Sequence, residues 1–340
     1  MLQIAEHISL KPYHTFHIEV YAKYFVEVKS VADLLKLMDT TIYKEYPNLI
    51  MGGGSNLLFC KDYEGLIIKN TIKGIELLNE DDTYVYIKAN AGEVWHELVQ
   101  YCIEKGYGGI ENLSLIPGCV GAAPMQNIGA YGIEIKEVIQ EVHALHKDSK
   151  QIEIFSNEAC QFAYRESVFK RALKNQYIIL SVVLKLTKKP LLNTSYGAIQ
   201  AALAAKNIEH PSIKEVSEAV IAIRSSKLPN PAVLGNAGSF FKNPEITKEA
   251  FEVFSKQFPT APFYPSINEQ VKIPAGWLIE QCGWKGKVIG NTGAHKEQAL
   301  VLVNYGNAQG NEIYNLALAI QQSVKEKFNI EIEPEVNIYI

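Results

Sequence analysis

An α+β fold in more than one domain is what this sequence predicts, and three observations predict it. At 340 residues the chain exceeds one ordinary hydrophobic core. Alternating runs that read as strands are interspersed with amphipathic runs that read as helices. From 228 to about 311 glycine and proline become frequent and the elements short, so a domain boundary is set ahead of that stretch, near 211. A composition of 47% hydrophobic and 21% charged residues is that of an ordinary globular protein, with no internal repeat or low-complexity segment.

Residues 16–29 (FHIEVYAKYFVEVK) are strand-like, Val31, Leu34, Leu35 and Met38 fall at helical spacing, and 48–51 returns to strand. Together they form a small α/β unit. Strands follow at 65–69 and 83–89, the second alternating Tyr84 and Tyr86 with Val85 and Ile87. A helix at 93–105 aligns Trp95, Leu98, Val99 and Cys102 in one apolar stripe, read as a core face rather than a cofactor contact. Strands are expected at 138–145, 151–155 and 177–186, and alanine-rich helical text covers 198–206. Ser212 with Glu215 makes a capping box ahead of the stripe Val216, Ala219, Val220 and Ile223. A helix starting at Pro274, a strand at 299–303, a long helix at 312–328 and a strand at 335–340 complete the chain.

Charge and cysteines exclude several classes. A net charge of −4 without a basic run supports neither a nucleic-acid footprint nor a polybasic membrane patch. The five cysteines are odd in number, dispersed and without a C-x-x-C pair, which argues against a disulfide framework and a zinc site and for a reducing compartment. The first residues, MLQIAEHISLKPYH, carry no targeting pattern, and no run approaches a membrane span, so a cytoplasmic protein is expected. His143 and His146 lie on opposite faces of an expected strand and no H-E-x-x-H occurs; no metal ligand is predicted.

Two glycine-rich stretches stand out. Residues 112–132 read NLSLIPGCVGAAPMQNIGAYG, in which glycine releases φ and removes Cβ while Pro117 and Pro124 stiffen the chain. Residues 49–59 read LIMGGGSNLLF, a strand, a tight turn and a strand. Each is either a packing loop or a main-chain cradle for an anion such as a diphosphate. The dinucleotide fingerprint is absent, because no helix opens after GGGSN, and no Walker lysine follows. Two cradles in one half of a chain suggest a single large phosphate-bearing ligand.

Three residues are ambiguous on their own. Arg165, flanked by Glu166 and Ser167, is either a surface ion pair or a fixed guanidinium able to grip a carboxylate through both oxygens. Ser239, in GNAGSFF, is a turn serine or lies where small residues let a ligand approach, with two phenylalanines anchoring the segment and no G-x-S-x-G elbow that would make it a hydrolase nucleophile. Glu335, near Glu331 and Glu333, is a solvated acidic edge or a site residue.

GGGSN, IPGCVGAAPMQNIGAYG, YRESVFK, GNAGSFFKNP, PAGWLIEQCGWKG and the terminal EPEV occur in one order, and from about residue 10 to the end the sequence resembles the UDP-N-acetylenolpyruvoylglucosamine reductase family. The resemblance implies an FAD-binding domain of the vanillyl-alcohol-oxidase type in two α+β parts, 1–65 and 66–210. It also implies a smaller α+β substrate domain at 211–328 and a terminal strand, 329–340, that returns to the active site. It implies FAD as cofactor, NADPH as hydride donor and UDP-N-acetylglucosamine enolpyruvate as substrate, in a monomer.

By resemblance, Arg165, Ser239 and Glu335 are catalytic: Arg165 polarises the substrate carboxylate, Ser239 protonates C2 and Glu335 assists reduction. FAD would be held by Gly52, Gly53, Gly54, Ser55 and Asn56, with Pro117, Gly118, Gly121, Ala122, Gln126, Asn127, Gly129, Ala130 and Tyr131. The sugar nucleotide would meet Arg224, Lys227, Asn243, Tyr264, Lys285 and Gln298, and Tyr196 matches the loop tyrosine of the family's longer subclass. The alternatives are another FAD oxidoreductase of this fold, which needs no such catalytic set, and a sugar-nucleotide binder without catalysis.

Overall fold

A computed structural model describes residues 2–266 and 269–340. The chain divides into two compact units. One comprises Met1–Ile8, Ala22–Gly53 and Glu64–Ser226, and the other Ser9–Tyr21, Gly54–Tyr63 and Lys227–Ile340.

The first unit contains two sheets. One orders the strands Ala5–Ser9, Tyr21–Val28, Tyr63–Asn70 and Asn48–Met51, the last pair parallel. The helix Val31–Met38 follows Ser30, whose hydroxyl caps it by accepting from the Asp33 amide at 3.0 Å, and it buries Leu34, Leu37 and Met38. The other sheet is antiparallel, in the order Ile152–Ser156, Ile139–His146, Tyr177–Thr187, Tyr84–Asn90, Ile75–Glu80. Along Tyr84–Asn90 the buried residues are Val85, Ile87 and Ala89, as alternation requires. They share a core with Trp95, Leu98, Val99 and Cys102 of the helix Trp95–Glu104. Tyr177–Thr187 joins the two sheets' cores, sending Ile178 and Leu180 into one and Val182 and Leu184 into the other. Ser212 and Glu215 form their capping box at 2.6–3.3 Å, and the helix Ile213–Lys227 buries Val216, Ala219, Val220 and Ile223.

The second unit is built on an antiparallel sheet ordered Gly235–Ser239, Val301–Asn304, Thr292–Ala294, Val288–Ile289. The helix Gly310–Phe328 buries Ile313, Leu316, Ala317, Ile320 and Val324. The helix expected at Pro274 runs over Ala275–Gln281 with Pro274 as its N-cap residue. The last strand, Asn337–Tyr339, pairs in parallel with Leu57–Phe59 directly after the first glycine cradle.

The strand expected over 16–29 begins only at Tyr21. Ahead of it His17 sits at φ +54° with Nε2 2.9 Å from the Pro231 carbonyl, which ends the extended run. The helix Lys248–Gln257 lies in a region read from sequence as short elements.

Candidate active site

The two glycine stretches meet within the first unit. A Cβ added at Gly53 would stand 2.9 Å from Gly118 Cα, and one at Gly52 3.2 Å from Cys119 Cβ. Glycine is therefore needed at 53 because main chain packs on main chain. Two donors of Trp95 fix the second loop: its amide reaches the Gly118 carbonyl at 3.0 Å and its indole the Leu113 carbonyl at 2.9 Å. Beneath the first cradle, the Lys69 ammonium donates to the Gly52 carbonyl. Burial lowers its pKa, and the nearby Cys119 opposes that shift.

Part of the second loop is engaged internally. The Gly121 amide donates to the Ala91 carbonyl at 3.0 Å and an added Cβ would come within 2.6 Å of Ala91 Cβ; the Ala122 amide donates to Cys119 at 3.0 Å. Asn127 is buried at φ +46°, donating to Glu134 and the Ala163 carbonyl at 3.0 Å each and accepting from the Lys136 amide at 3.0 Å. These groups hold the loop's shape.

Arg165 turns to the far end of that loop. Its Nη2 donates to the Gly129 carbonyl at 2.8 Å and Nη1 to that of Asn127 at 3.4 Å, while the backbone at 165 is left-handed, φ +54°. Glu166 pairs instead with Arg171 at 2.9 Å. Within the same unit Tyr131 meets Tyr196 edge-on, with ring centroids 5.1 Å apart. Burial raises the Tyr131 phenol pKa, and the Arg224 guanidinium, hydrogen-bonded to that hydroxyl, opposes the shift. Arg224 Nε also donates to the Leu115 carbonyl at 3.2 Å. Thus Tyr131, Tyr196 and Arg224 form one cluster, and Arg165 shares a loop with it.

The second unit carries the remaining residues. Gly54, at φ +64°, packs so tightly that a Cβ would run into the Tyr13 carbonyl. Asn56 Nδ2 donates to the Glu335 carbonyl at 3.1 Å, and the Glu335 amide donates to Phe240 at 2.8 Å. Phe240 and Phe241 are buried, and Ser239 before them is exposed at the end of its strand. Ser239, Glu335 and Asn56 are thereby tied to one junction. The other sugar-nucleotide candidates are dispersed. Asn243 Oδ1 accepts from the Ala275 amide at 2.9 Å, capping the helix that follows Pro274. Lys285 pairs with Glu280 at 2.9 Å, Gln298 Oε1 accepts from the Leu300 amide at 3.4 Å, and Lys227 and Tyr264 are exposed.

Sequence reasoning assigned nothing to Asn112, Lys69 or His96. His96 Nδ1 accepts from the Leu115 amide at 2.9 Å. The available signal was a lysine closing the apolar run GLIIK and an asparagine heading the glycine-rich stretch. Among the described residues no group of three His, Cys, Asp or Glu is placed to hold a metal, and no helix is long and apolar enough to cross a membrane.

Comparison with known proteins places the chain. A profile described as an FAD binding domain matches residues 22–154, and one described as the UDP-N-acetylenolpyruvoylglucosamine reductase C-terminal domain matches 230–339. UDP-N-acetylenolpyruvoylglucosamine reductase of Flavobacterium johnsoniae is 52% identical, covering 99% of this chain and 100% of its own. The protein of the same name from Amoebophilus asiaticus is 51% identical over 99% of both. The crystal structure of UDP-N-acetylenolpyruvylglucosamine reductase from Thermus caldophilus superposes over all of both chains with a TM-score of 0.70 at 23% identity, a likeness of fold. The fold is α+β, an FAD-binding domain followed by a smaller C-terminal domain, and the chain belongs to the UDP-N-acetylenolpyruvoylglucosamine reductase family.

Proposed function

We infer that the protein reduces UDP-N-acetylglucosamine enolpyruvate to UDP-N-acetylmuramate with NADPH as hydride donor and FAD as cofactor, a step of peptidoglycan precursor synthesis. The observation that carries the reading at the level of residues is the junction that ties Ser239 to Glu335 through Phe240, with Asn56 of the first cradle bonded to the same glutamate.

The cradles suit FAD: the main chains of 53 and 118 pack against one another, and a side chain at Gly53 would enter that contact. Gly52, Gly53, Gly54, Ser55 and Asn56 would hold its phosphates, with Pro117, Gly118, Gln126, Gly129, Ala130 and Tyr131 along the second loop and Gly121, Ala122 and Asn127 shaping that loop from behind. When bound, FAD supplies the two-electron relay from the hydride of NADPH to C3 of the enolpyruvyl group.

Arg165 binds the enolpyruvyl carboxylate. Carbonyls of the second loop fix its guanidinium, so a planar donor set is held ready where negative charge develops. Glu335 steadies the polarised state, and Ser239 gives its hydroxyl proton to C2, so the double bond gains hydride at C3 and a proton at C2. Arg224, Lys227 and Lys285 supply positive charge to the diphosphate, Tyr196 covers the substrate, and Asn243, Tyr264 and Gln298 contact the sugar nucleotide. We place the enzyme in the cytoplasm as a monomer that binds neither nucleic acid nor membrane, a reading that the net charge of −4 favours.

The direct test supplies NADPH and the enolpyruvyl sugar nucleotide to purified, FAD-loaded protein and analyses the product by mass spectrometry. A product heavier by two hydrogens, formed in step with NADPH consumption, supports the reading; NADPH consumed with oxygen while the sugar nucleotide stays unchanged would overturn it.

A further inference from the structure

One buried side chain joins the glycine-rich loop to the tyrosine segment. Asn112 is 1% exposed, and its Nδ2 donates to the main-chain carbonyls of Tyr131 at 3.1 Å and Asn193 at 2.9 Å. Both amide hydrogens are thus directed at different loops. Asn193 completes the tie: its Nδ2 donates to the Gly132 carbonyl at 3.3 Å, and its Oδ1 accepts from the Ser195 amide at 3.2 Å and hydroxyl at 2.7 Å. The turn so formed presents Tyr196, which packs edge-on against Tyr131. Leu191 is 100% exposed and Tyr196 42%, so buried apolar contact contributes little to holding the segment in place.

We propose that Asn112 is a positioning residue for the substrate, latching the tyrosine segment onto the loop that runs from Gly129 to Gly132. It acts through Tyr196, and so rests on the reading of Tyr196 as a substrate contact. Asparagine suits the post because two donors on one nitrogen reach two carbonyls. Aspartate, of the same shape, would turn lone pairs toward both, and alanine reaches neither.

Three measurements on the FAD-loaded full chain test this. Hydrogen exchange of the amides at 193–197 needs no substrate and should quicken about tenfold or more in Asn112→Asp, from loss of two hydrogen bonds. In Asn193→Ala, a change at a half-buried residue that keeps the test open should the fully buried variant misfold, it should quicken less. KM for the enolpyruvyl sugar nucleotide should rise about tenfold in Asn112→Asp with a smaller change in kcat. In a Tyr196→Ala background the same change should add nothing to KM, because a latch has no effect once the residue it positions is gone. Unchanged exchange in both single variants, or KM effects of Asn112→Asp and Tyr196→Ala that multiply, would overturn the latch. Wild-type protein that leaves the sugar nucleotide unreduced would overturn the functional reading instead, and the exchange data would still decide the latch.

Discussion

The main-chain amide of Glu335 donates to the carbonyl of Phe240 at 2.8 Å, one residue beyond Ser239. Around that bond the chain end is stitched further, through a bridge between Phe241 and Pro334 and from the Lys242 amide to the Glu333 carbonyl at 3.0 Å. Two buried phenylalanines hold one side of the junction, and parallel pairing of Asn337–Tyr339 with Leu57–Phe59 holds the other. A serine and a glutamate 96 positions apart in sequence (335 minus 239) are thus set by backbone rather than by their own flexible side chains.

Removing the Ser239 hydroxyl should stop proton delivery while leaving the scaffold intact, because the side chain is exposed and its neighbours carry the packing. Ser239→Ala is expected to lower kcat for the sugar nucleotide about 10²–10⁴-fold with little change in Tm. Steady-state kinetics beside a thermal melt checks both halves; turnover at the wild-type rate would remove Ser239 from the mechanism.

Arg165→Lys keeps the charge and loses the planar fork. Its ammonium cannot reproduce the paired bonds to Asn127 and Gly129 carbonyls while also gripping a carboxylate through both oxygens. We expect kcat/KM to fall about 10²-fold or more, on the scale of a few kcal/mol for charge-assisted hydrogen bonds. An unimpaired lysine variant would return Arg165 to a purely structural role.

Gly53→Ala should separate the two cradles. The methyl group would meet the Gly118 main chain at 2.9 Å, and backbone yields less readily than a side-chain tip. A loss of about 1–3 kcal/mol in stability is expected. FAD retained per chain after gel filtration should fall with it, and full retention at unchanged Tm would contradict the close approach.

Much of this was legible in the sequence wherever burial is one-sided. The stripe of Trp95, Leu98, Val99 and Cys102 and the alternation at Tyr84–Asn90 each report a single buried face, and both elements are present. Ile75–Glu80 could not be read, because it is an edge strand with adjacent Leu77 and Leu78 both 45% exposed. Lys248–Gln257 buries only Phe254, too little to make a stripe. At the site, the glycine clusters marked where backbones approach. Arg165 stayed ambiguous and Asn112 unassigned for another reason: their partners are main-chain carbonyls, as of Gly129 and Asn193, and a carbonyl leaves no residue-type signature.

His14 gives the fold a pH response. It is 2% exposed, its Nε2 lies 3.1 Å from the Ile18 carbonyl, and burial lowers its pKa from 6.5 to about 4. Between those values the unfolded chain binds the proton and the folded chain does not, so stability rises with pH through this window and is lost as pH falls toward 4. The contribution is on the order of 3 kcal/mol. His14→Gln should therefore show a shallower loss of Tm between pH 7 and pH 4 than the wild type; equal slopes would mean that His14 titrates normally.

The visible spectrum of the purified protein tests the central claim most directly, recorded anaerobically before NADPH, after NADPH and after addition of UDP-N-acetylglucosamine enolpyruvate. A flavin band that bleaches with NADPH and returns with the enolpyruvyl substrate is the predicted result. A band that returns only on admitting oxygen, or a colourless protein that cannot be reconstituted with FAD, would contradict it.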